Sequence, residues 1–397
     1  MINKMKKHNI LRRCLLIILK LLSMFNKVIP KKENKILFYD SLRDSLDDNA
    51  EAFYYWLMEN GYANKYRFAI CVPNEKGYNN TLKYRPIGAL FGVYEYLTSK
   101  YVFFSFGDFR IEPSSNQVVV NLWHGTPLKR IGKLSDDKNL LTEKLDNFTY
   151  VLASSDLYAP VMAEAFGCSI SKVKVLGHTR NDYLFSSGDS FKKVGLDVEK
   201  FNKCILWMPT FRQSKDNRFS DSDFLDSETL LPILDEYEKL TMFDEKLQAL
   251  NVLLVIKVHP YAKFKEVQLT NILMMKNEDI ISKGVKLYEF VKEFDALITD
   301  YSSIYFDFML MNRPLGFTLD DYQSYSCKRG FVFDNAIDFL PGNHIYCSED
   351  MEKFIISVKC GLDEFRDERN ALLPKVCKYI DGNNCKRLAE ELGIDLN

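Results

Sequence analysis

The sequence predicts an α/β fold of two doubly wound lobes facing a cleft, preceded by a basic amphipathic helix. Three observations lead there. Short β-rich runs alternate with helical patterns along most of the chain, as in parallel sheets with crossover helices. A polar stretch at 186–203, carrying Gly188 and Gly195, separates one such series from a second. The first 32 residues combine a cluster of lysines and arginines with a run of leucines and isoleucines. The expected segments are therefore 1–32, a first Rossmann-like lobe over 33–190, and a second over 191–397 with closing helices.

Size and composition agree with this division. A chain of 397 residues, 47% hydrophobic and 27% charged, has room for two ordinary cores and is not a disordered composition. The net charge of -1 gives no global attraction to nucleic acid, so anion binding must come from local basic groups. Nine cysteines without a CxxC pair read as reduced thiols rather than as a disulfide framework or a zinc site. No visible ligand cluster requires a metal, and no cofactor is expected.

At the N-terminus, Lys4, Lys6, Lys7, Arg12 and Arg13 precede an apolar run at 15–22 that Lys20 interrupts, and Lys27, Lys31 and Lys32 follow. That run is far shorter than the roughly 20 residues of a spanning helix. A helix lying in the interface suits it better, with apolar side chains in the acyl boundary and cations on anionic headgroups. Packing on the protein as an ordinary amphipathic helix is the alternative.

The first series of strands is expected at 35–39, 67–72, 101–106, 117–123, 150–153 and 172–176. The second is expected at 204–208, 252–258, 285–288, 296–299 and 314–318. Helices are expected at 231–250 and 304–311, a mobile loop at 215–227, and closing helices over 351–396. No internal repeat or low-complexity block occurs.

In open parallel sheets, ligands bind beyond the carboxyl ends of the strands. Those ends are where this sequence concentrates its chemistry. His124-Gly125-Thr126 and Lys129 follow the run at 117–123, His178 and Arg180 follow 172–176, and Arg212 follows 204–208. Lys257 ends a further strand with His259 two residues on, and Thr299, Asp300, Ser302 and Ser303 close another. Histidines, cations and hydroxyls without a carboxylate cage suit phosphate.

Each has a plainer reading. The serine pair reads plainly as helix caps, although its hydroxyls and first-turn amides are also suited to phosphate oxygens. His124 is either a packed structural imidazole or, with a reference pKa of about 6.5, a general base at neutral pH. Its neighbours Lys129 and Arg130 favour function. Lys257 and His259 share one side of an alternating strand and can stabilise charge on a leaving phosphate. Arg180 has Asp182 as an alternative partner, while His8 and His344 are expected to be solvated.

As an ordered set, WHGTPLK at 123–129, SSD at 154–156, GHTRND at 177–182, MPTFR at 208–212, KVHP at 257–260 and TDYSSIYFDF at 299–308 resembles the CDP-glycerol glycerophosphotransferases of teichoic acid and capsule polymer synthesis. The likeness runs from about residue 35 to 334. It implies a GT-B-like fold and transfer of polyol phosphate, glycerol phosphate above all, from a CDP-polyol to a hydroxyl of a lipid-linked saccharide or polyol-phosphate acceptor, with CMP released. The basic N-terminal segment is expected to attach the protein peripherally at the cytoplasmic face of the cell membrane.

On that resemblance His124 is the general base, and His259, a second catalytic candidate, lines the donor's pyrophosphate. Arg212, Lys257, Thr299, Ser302 and Ser303 line the donor's phosphates or nucleotide, and Asp300 orients its loop. Gly125, Thr126, Lys129, His178 and Arg180 are further candidates. One departure stands out: the family often has proline before the arginine of the GHTRND loop, where this chain has Thr179. The chain also lacks the long extra N-terminal domain of some polymerases, which fits a priming, single-addition or compact capsule enzyme.

Two rival functions remain. A GT-B glycosyltransferase would keep the strand-end phosphate contacts but release a nucleoside diphosphate and form a glycoside. A noncatalytic module binding a polyanion or lipid-linked polymer would use the same basic loops without turnover.

Overall fold

The structure is a computed structural model that describes residues 9–42, 45–73, 87–137, 140–141, 143–210, 227–229, 231–258 and 268–396. The chain divides into two compact units. The first comprises Met1–His124, Asp137–Asp182 and Asn383–Asn397; the second comprises Gly125–Asp136 and Tyr183–Gly382.

In the first unit a helix, α1 (Asn9–Val28), leads into β1 (Lys32–Tyr39), α2 (Asp48–Glu59), β2 (Arg67–Cys71), α3 (Ala89–Thr98), β3 (Ser99–Phe104), β4 (Val118–Asn121), β5 (Tyr150–Ala153), α4 (Tyr158–Phe166) and β6 (Val173–Val175). The sheet order is β2-β1-β3-β4-β5-β6, and each of these neighbouring pairs is parallel. Strand order reverses between β1 and β3, so the crevice that such sheets use for ligands opens beyond residues 39 and 104. Gly107 sits at that crevice with φ 69°, and a Cβ there would lie 1.7 Å from Ser41 Oγ. Phe38, Phe53, Leu57, Phe103, Val120 and Leu152, all fully buried, join the sheet to α2 in one core. Each contributes about 1.5–3 kcal/mol of apolar burial.

Helix α1 docks by its polar side. Asn26 Nδ2 donates to Glu112 O at 2.8 Å and to Gln117 Oε1 at 2.9 Å, and Glu112 N donates to Ser23 Oγ at 3.1 Å. Lys31 Nζ donates to Asn26 Oδ1 and to Leu97 O, and partial burial lowers its pKa to about 8. Leu16, Ile17, Ile18, Leu21, Met24 and Phe25 remain exposed.

The second unit contains β7 (Lys203–Trp207), α5 (Tyr237–Leu250), β8 (Val252–Lys257), β9 (Ile272–Met275), α6 (Leu287–Val291), β10 (Ala296–Thr299), α7 (Ile304–Phe308), β11 (Leu315–Thr318), β12 (Asn343–Ile345) and α8 (Ser348–Lys359). Its parallel sheet is ordered β12-β11-β10-β7-β8-β9. Numbered within the unit this is the 3-2-1-4-5-6 order of dinucleotide-binding folds, with the reversal between β7 and β10.

Two differences from the sequence expectation concern this sheet. Residues 285–288 are not a strand: Glu289 Oε2 accepts from Lys286 N at 3.0 Å, and that bond starts helix α6. The place beside β8 goes to β9, whose Ile-Leu-Met-Met run lacks the alternation that marks a strand. Helix α5 starts at Tyr237 rather than at 231. The expected loop at 215–227 lies, apart from Ser227, outside the described residues.

The last helix, α9 (Asn384–Glu391), belongs to the first unit, where Leu388 and Ala389 enter its core. Asp182 anchors it: the carboxylate accepts from Asn384 N at 2.9 Å, Asn384 Nδ2 at 2.8 Å and Cys385 N at 2.8 Å. Asp182→Ala is expected to cost about 3 kcal/mol, since two helix-start amides lose a charged acceptor. A lowered urea midpoint, with faster hydrogen exchange over 384–391, is the corresponding measurement.

Candidate functional site

In the first unit, the expected residues His124, His178 and Arg180 gather around the start of α2. Trp123 and His124 follow β4, with Trp123 held at φ 56°, a left-handed conformation uncommon for a large side chain. The His124 ring stacks on Phe106 with centroids 4.6 Å apart and planes 17° apart, and lies 3.8 Å from the Trp123 ring. Its Nδ1 is 3.3 Å from Ser105 O. A carbonyl oxygen only accepts, so that contact assigns the proton to Nδ1 and the lone pair to Nε2. The ring is half-buried, with Phe106 and Ser105 coming from the end of β3 and Trp123 from the end of β4.

His178 and Arg180 are buried. Arg180 Nη1 donates to Asp48 Oδ2 at 2.6 Å and to the His124 carbonyl at 3.0 Å. Its carboxylate partner is thus Asp48, at the start of α2, rather than Asp182, which holds α9. His178 Nδ1 lies 3.5 Å from Asn49 Nδ2. Arg180 thus holds the His124 peptide, and His178 lies against Asn49.

In the second unit, Asp300 is fully buried at the reversal between β7 and β10. Its carboxylate accepts from Thr210 N at 2.7 Å, Thr210 Oγ1 at 2.5 Å and Ser302 N at 3.1 Å. One acid therefore ties together the loops that leave the two switch-point strands. Thr299 is different: it is fully buried and its hydroxyl donates to Met208 O at 2.8 Å, so the side chain joins the two strands instead of facing a ligand.

Ser302 and Ser303 are partly exposed beside it, and neither hydroxyl bonds a described residue. Ser303 precedes α7 without a side-chain capping bond, so the plain capping role is not the one it plays here. Lys257 ends β8, level with Met208 after β7, because Ile256 pairs with Trp207. Arg212 and His259 lie outside the described residues.

The segment Gly125–Asp136 enters the second unit through residues 128–130. Lys129 pairs with Phe331 in an antiparallel bridge, Val332 N donates to Leu128 O at 2.8 Å, and Arg130 Nε donates to Phe331 O at 3.1 Å. Lys129 Nζ is 3.5 Å from Thr210 Oγ1 and 5.5 Å from the Tyr325 ring centroid. Gly125 takes φ 125°, and Thr126 is buried. His344, expected in solvent, is half-buried with Nε2 3.2 Å from Leu340 O.

Sequence reasoning missed Asp48, Asn49 and Ser105. Asp47-Asp48-Asn49 ahead of an apolar-periodic helix is a helix-start signature, and Asp47 Oδ1 does accept from Asp48 N at 2.7 Å. Nothing in that signature points to a histidine 76 positions away.

Among known proteins, the model of the CDP-Glycerol:Poly(glycerophosphate) glycerophosphotransferase family matches residues 21–392. A teichoic acid poly(ribitol-phosphate) polymerase of Bacillus spizizenii is 26% identical over 92% of this chain and 57% of its own length. A teichoic acid glycerol-phosphate primase of Bacillus subtilis is 26% identical over 68% of this chain and 66% of its own. The chain thus spans less than two thirds of either relative. The solved structure of the wall teichoic acid polymerase TagF superposes with a TM-score of 0.74 at 18% identity, covering 99% of this chain and 98% of that one, and so shares the fold.

Removing the Asp300 carboxylate strands the Thr210 and Ser302 amides at once. Asp300→Ala is expected to lose about 2–4 kcal/mol in thermal or urea unfolding, and Asp300→Asn less, because the amide oxygen still accepts.

Proposed function

The chain belongs to the CDP-Glycerol:Poly(glycerophosphate) glycerophosphotransferase family, and from that premise we propose that it transfers a polyol phosphate, glycerol phosphate first of all, from a CDP-activated donor to a hydroxyl of a membrane-linked acceptor. CMP is the other product, and the polymer served is a teichoic acid or a capsular chain. The observation that carries the reading is His124, half-buried where β3 and β4 end, with its Nδ1 3.3 Å from Ser105 O.

In the proposed reaction Nε2 of His124 takes the proton of the acceptor hydroxyl as its oxygen attacks the phosphorus that bears the polyol. A P–O bond forms there, the bond from that phosphorus to the CMP phosphate oxygen breaks, and the electron pair leaves on CMP. The second unit takes the donor. Its dinucleotide-binding strand order opens the ligand crevice at β7 and β10, where Asp300 holds the Thr210 and Ser302 amides in place. Ser302, Ser303 and Lys257 flank that crevice, and Arg212 and His259 complete the donor set on the family resemblance. These cations and hydroxyls stabilise the phosphoryl oxygens and the departing CMP.

Purified protein is expected to release CMP from CDP-glycerol or CDP-ribitol only when a lipid-linked disaccharide or polyol-phosphate acceptor is added. His124→Ala is expected to lower that rate about 10²- to 10⁴-fold with the fold intact. Near-normal turnover by the variant would remove His124 from the role of base, and release of a nucleoside diphosphate from a nucleotide sugar would move the chain to glycoside chemistry.

The acceptor is membrane-held, and we place the protein at the cytoplasmic face, attached peripherally through α1. The support is the direction of that helix: Ser23 and Asn26 are turned into the first unit while Leu16, Ile17, Leu21 and Phe25 stay exposed, with Arg13 and Lys20 exposed among them. No described helix is long and apolar enough to cross a membrane. Cosedimentation with vesicles containing phosphatidylglycerol is expected, weaker with phosphatidylcholine alone. The double variant Ile17→Glu, Leu21→Glu is expected to lose it while releasing CMP normally with a soluble acceptor analogue.

A further inference from the structure

The groups that fix His124 lie on a different element, the first turn of α2, where three consecutive residues reach the ends of three strands. Asn49, fully buried, donates from Nδ2 to Trp123 O at 2.9 Å and Leu122 O at 3.3 Å, after β4. Its Oδ1 accepts from Arg180 N at 3.0 Å and Thr179 Oγ1 at 3.3 Å, after β6. Asp48 binds Arg180 Nη1, which also holds the His124 carbonyl. Ala50 N donates to Ser105 Oγ at 3.0 Å, after β3, on the residue whose carbonyl faces His124 Nδ1.

This arrangement costs more than joining a helix to a sheet requires. Asp48 stands at φ 60° and Trp123 at φ 56°, two left-handed non-glycine residues on the two segments that meet here. The Asp48–Arg180 ion pair is largely withdrawn from solvent, where desolvation opposes it, and burial raises the pKa of the Asp48 carboxyl. The strain and the buried charge both converge on the peptide that carries the imidazole.

We propose that Asp48 and Asn49 are positioning residues for the transfer reaction: they hold the backbone of residues 122–124 so that His124 keeps Nδ1 on Ser105 O and its lone pair on Nε2. Arg180 is their intermediary, acting on the His124 carbonyl and not on phosphate. The proposal rests on the reading of His124 as the base.

Two near-isosteric variants test it. Asn49→Asp keeps the acceptor for Arg180 N but turns an oxygen towards the Leu122 and Trp123 carbonyls. Asp48→Asn keeps a side chain that tolerates the left-handed turn and removes the charge facing Arg180. Both are expected to lower kcat, by up to about 100-fold for a displacement near 1 Å, with KM for the CDP-polyol nearly unchanged. Long-range ¹H–¹⁵N spectra, with the His124 signal identified by its loss in His124→Ala, are expected to show one tautomer in the wild type and a mixture in the variants. Folded variants with wild-type kcat and a single Nδ1–H tautomer, even at a lower Tm, would overturn the proposal. Where Asn49→Asp does not fold, Asp48→Asn decides, since it keeps the side chain's shape and an acceptor oxygen for Arg180 Nη1. If His124→Ala retains turnover, the base reading fails by itself, and the tautomer spectra still report whether α2 sets the ring.

Discussion

Parallel strand pairing is the constraint on which the rest depends. In both units the paired strands of the sheet run the same way, so the carboxyl ends lie along one edge and the loops that leave them are neighbours in space however far apart in sequence. A second constraint follows from strand order. The reversal between β1 and β3, and between β7 and β10, sends consecutive connections to opposite faces and opens the crevice that such sheets use for ligands. His124 stands beside the first reversal, against the residues that follow β3, and the Asp300 cluster at the second.

A strand end is a costly place for polar groups, because backbone amides leave the sheet ladder while still shielded from water. The two units meet that cost with buried acids and amides rather than with solvent. Asp300 gathers two amides and a hydroxyl from two loops, and Asn49 uses both ends of its carboxamide on loops that follow β4 and β6. The same bonds that satisfy the backbone also fix where the neighbouring side chains stand. Stability and site geometry are here one set of interactions, which is why the Thr299 hydroxyl and Arg180 Nη1, read from the sequence as ligand groups, bond partners inside the protein.

The N-terminal helix inverts the usual arrangement. A surface helix ordinarily turns its apolar stripe inward; α1 turns Ser23 and Asn26 inward and leaves leucine and isoleucine outside. Glu112 and Gln117 are specific partners for that polar side, since Gln117 is itself held by Tyr96 O and Ser99 O through Nε2. The basic and apolar composition was plain in the sequence, but which side of the helix the protein takes was not.

The sequence by itself determined the class of the protein: periodicity marked ten of the twelve described strands, and the ordered motifs at the strand ends named the family. It failed where signals were short or ambiguous. The run at 285–288 has an apolar pattern that suits either element, and one bond from Lys286 to Glu289 decides for helix, while Ile272–Met275 and the three-residue β12 carry too little pattern to be seen. Only the tertiary structure decided which loops meet. Asn49 touches residues 74 and 131 positions away, and Asp48 one 132 away; such contacts follow from strand order, which local periodicity does not encode. The sequence therefore announces that a histidine ends a strand, and the packing of α2 against three strand ends determines which nitrogen of that histidine carries the proton.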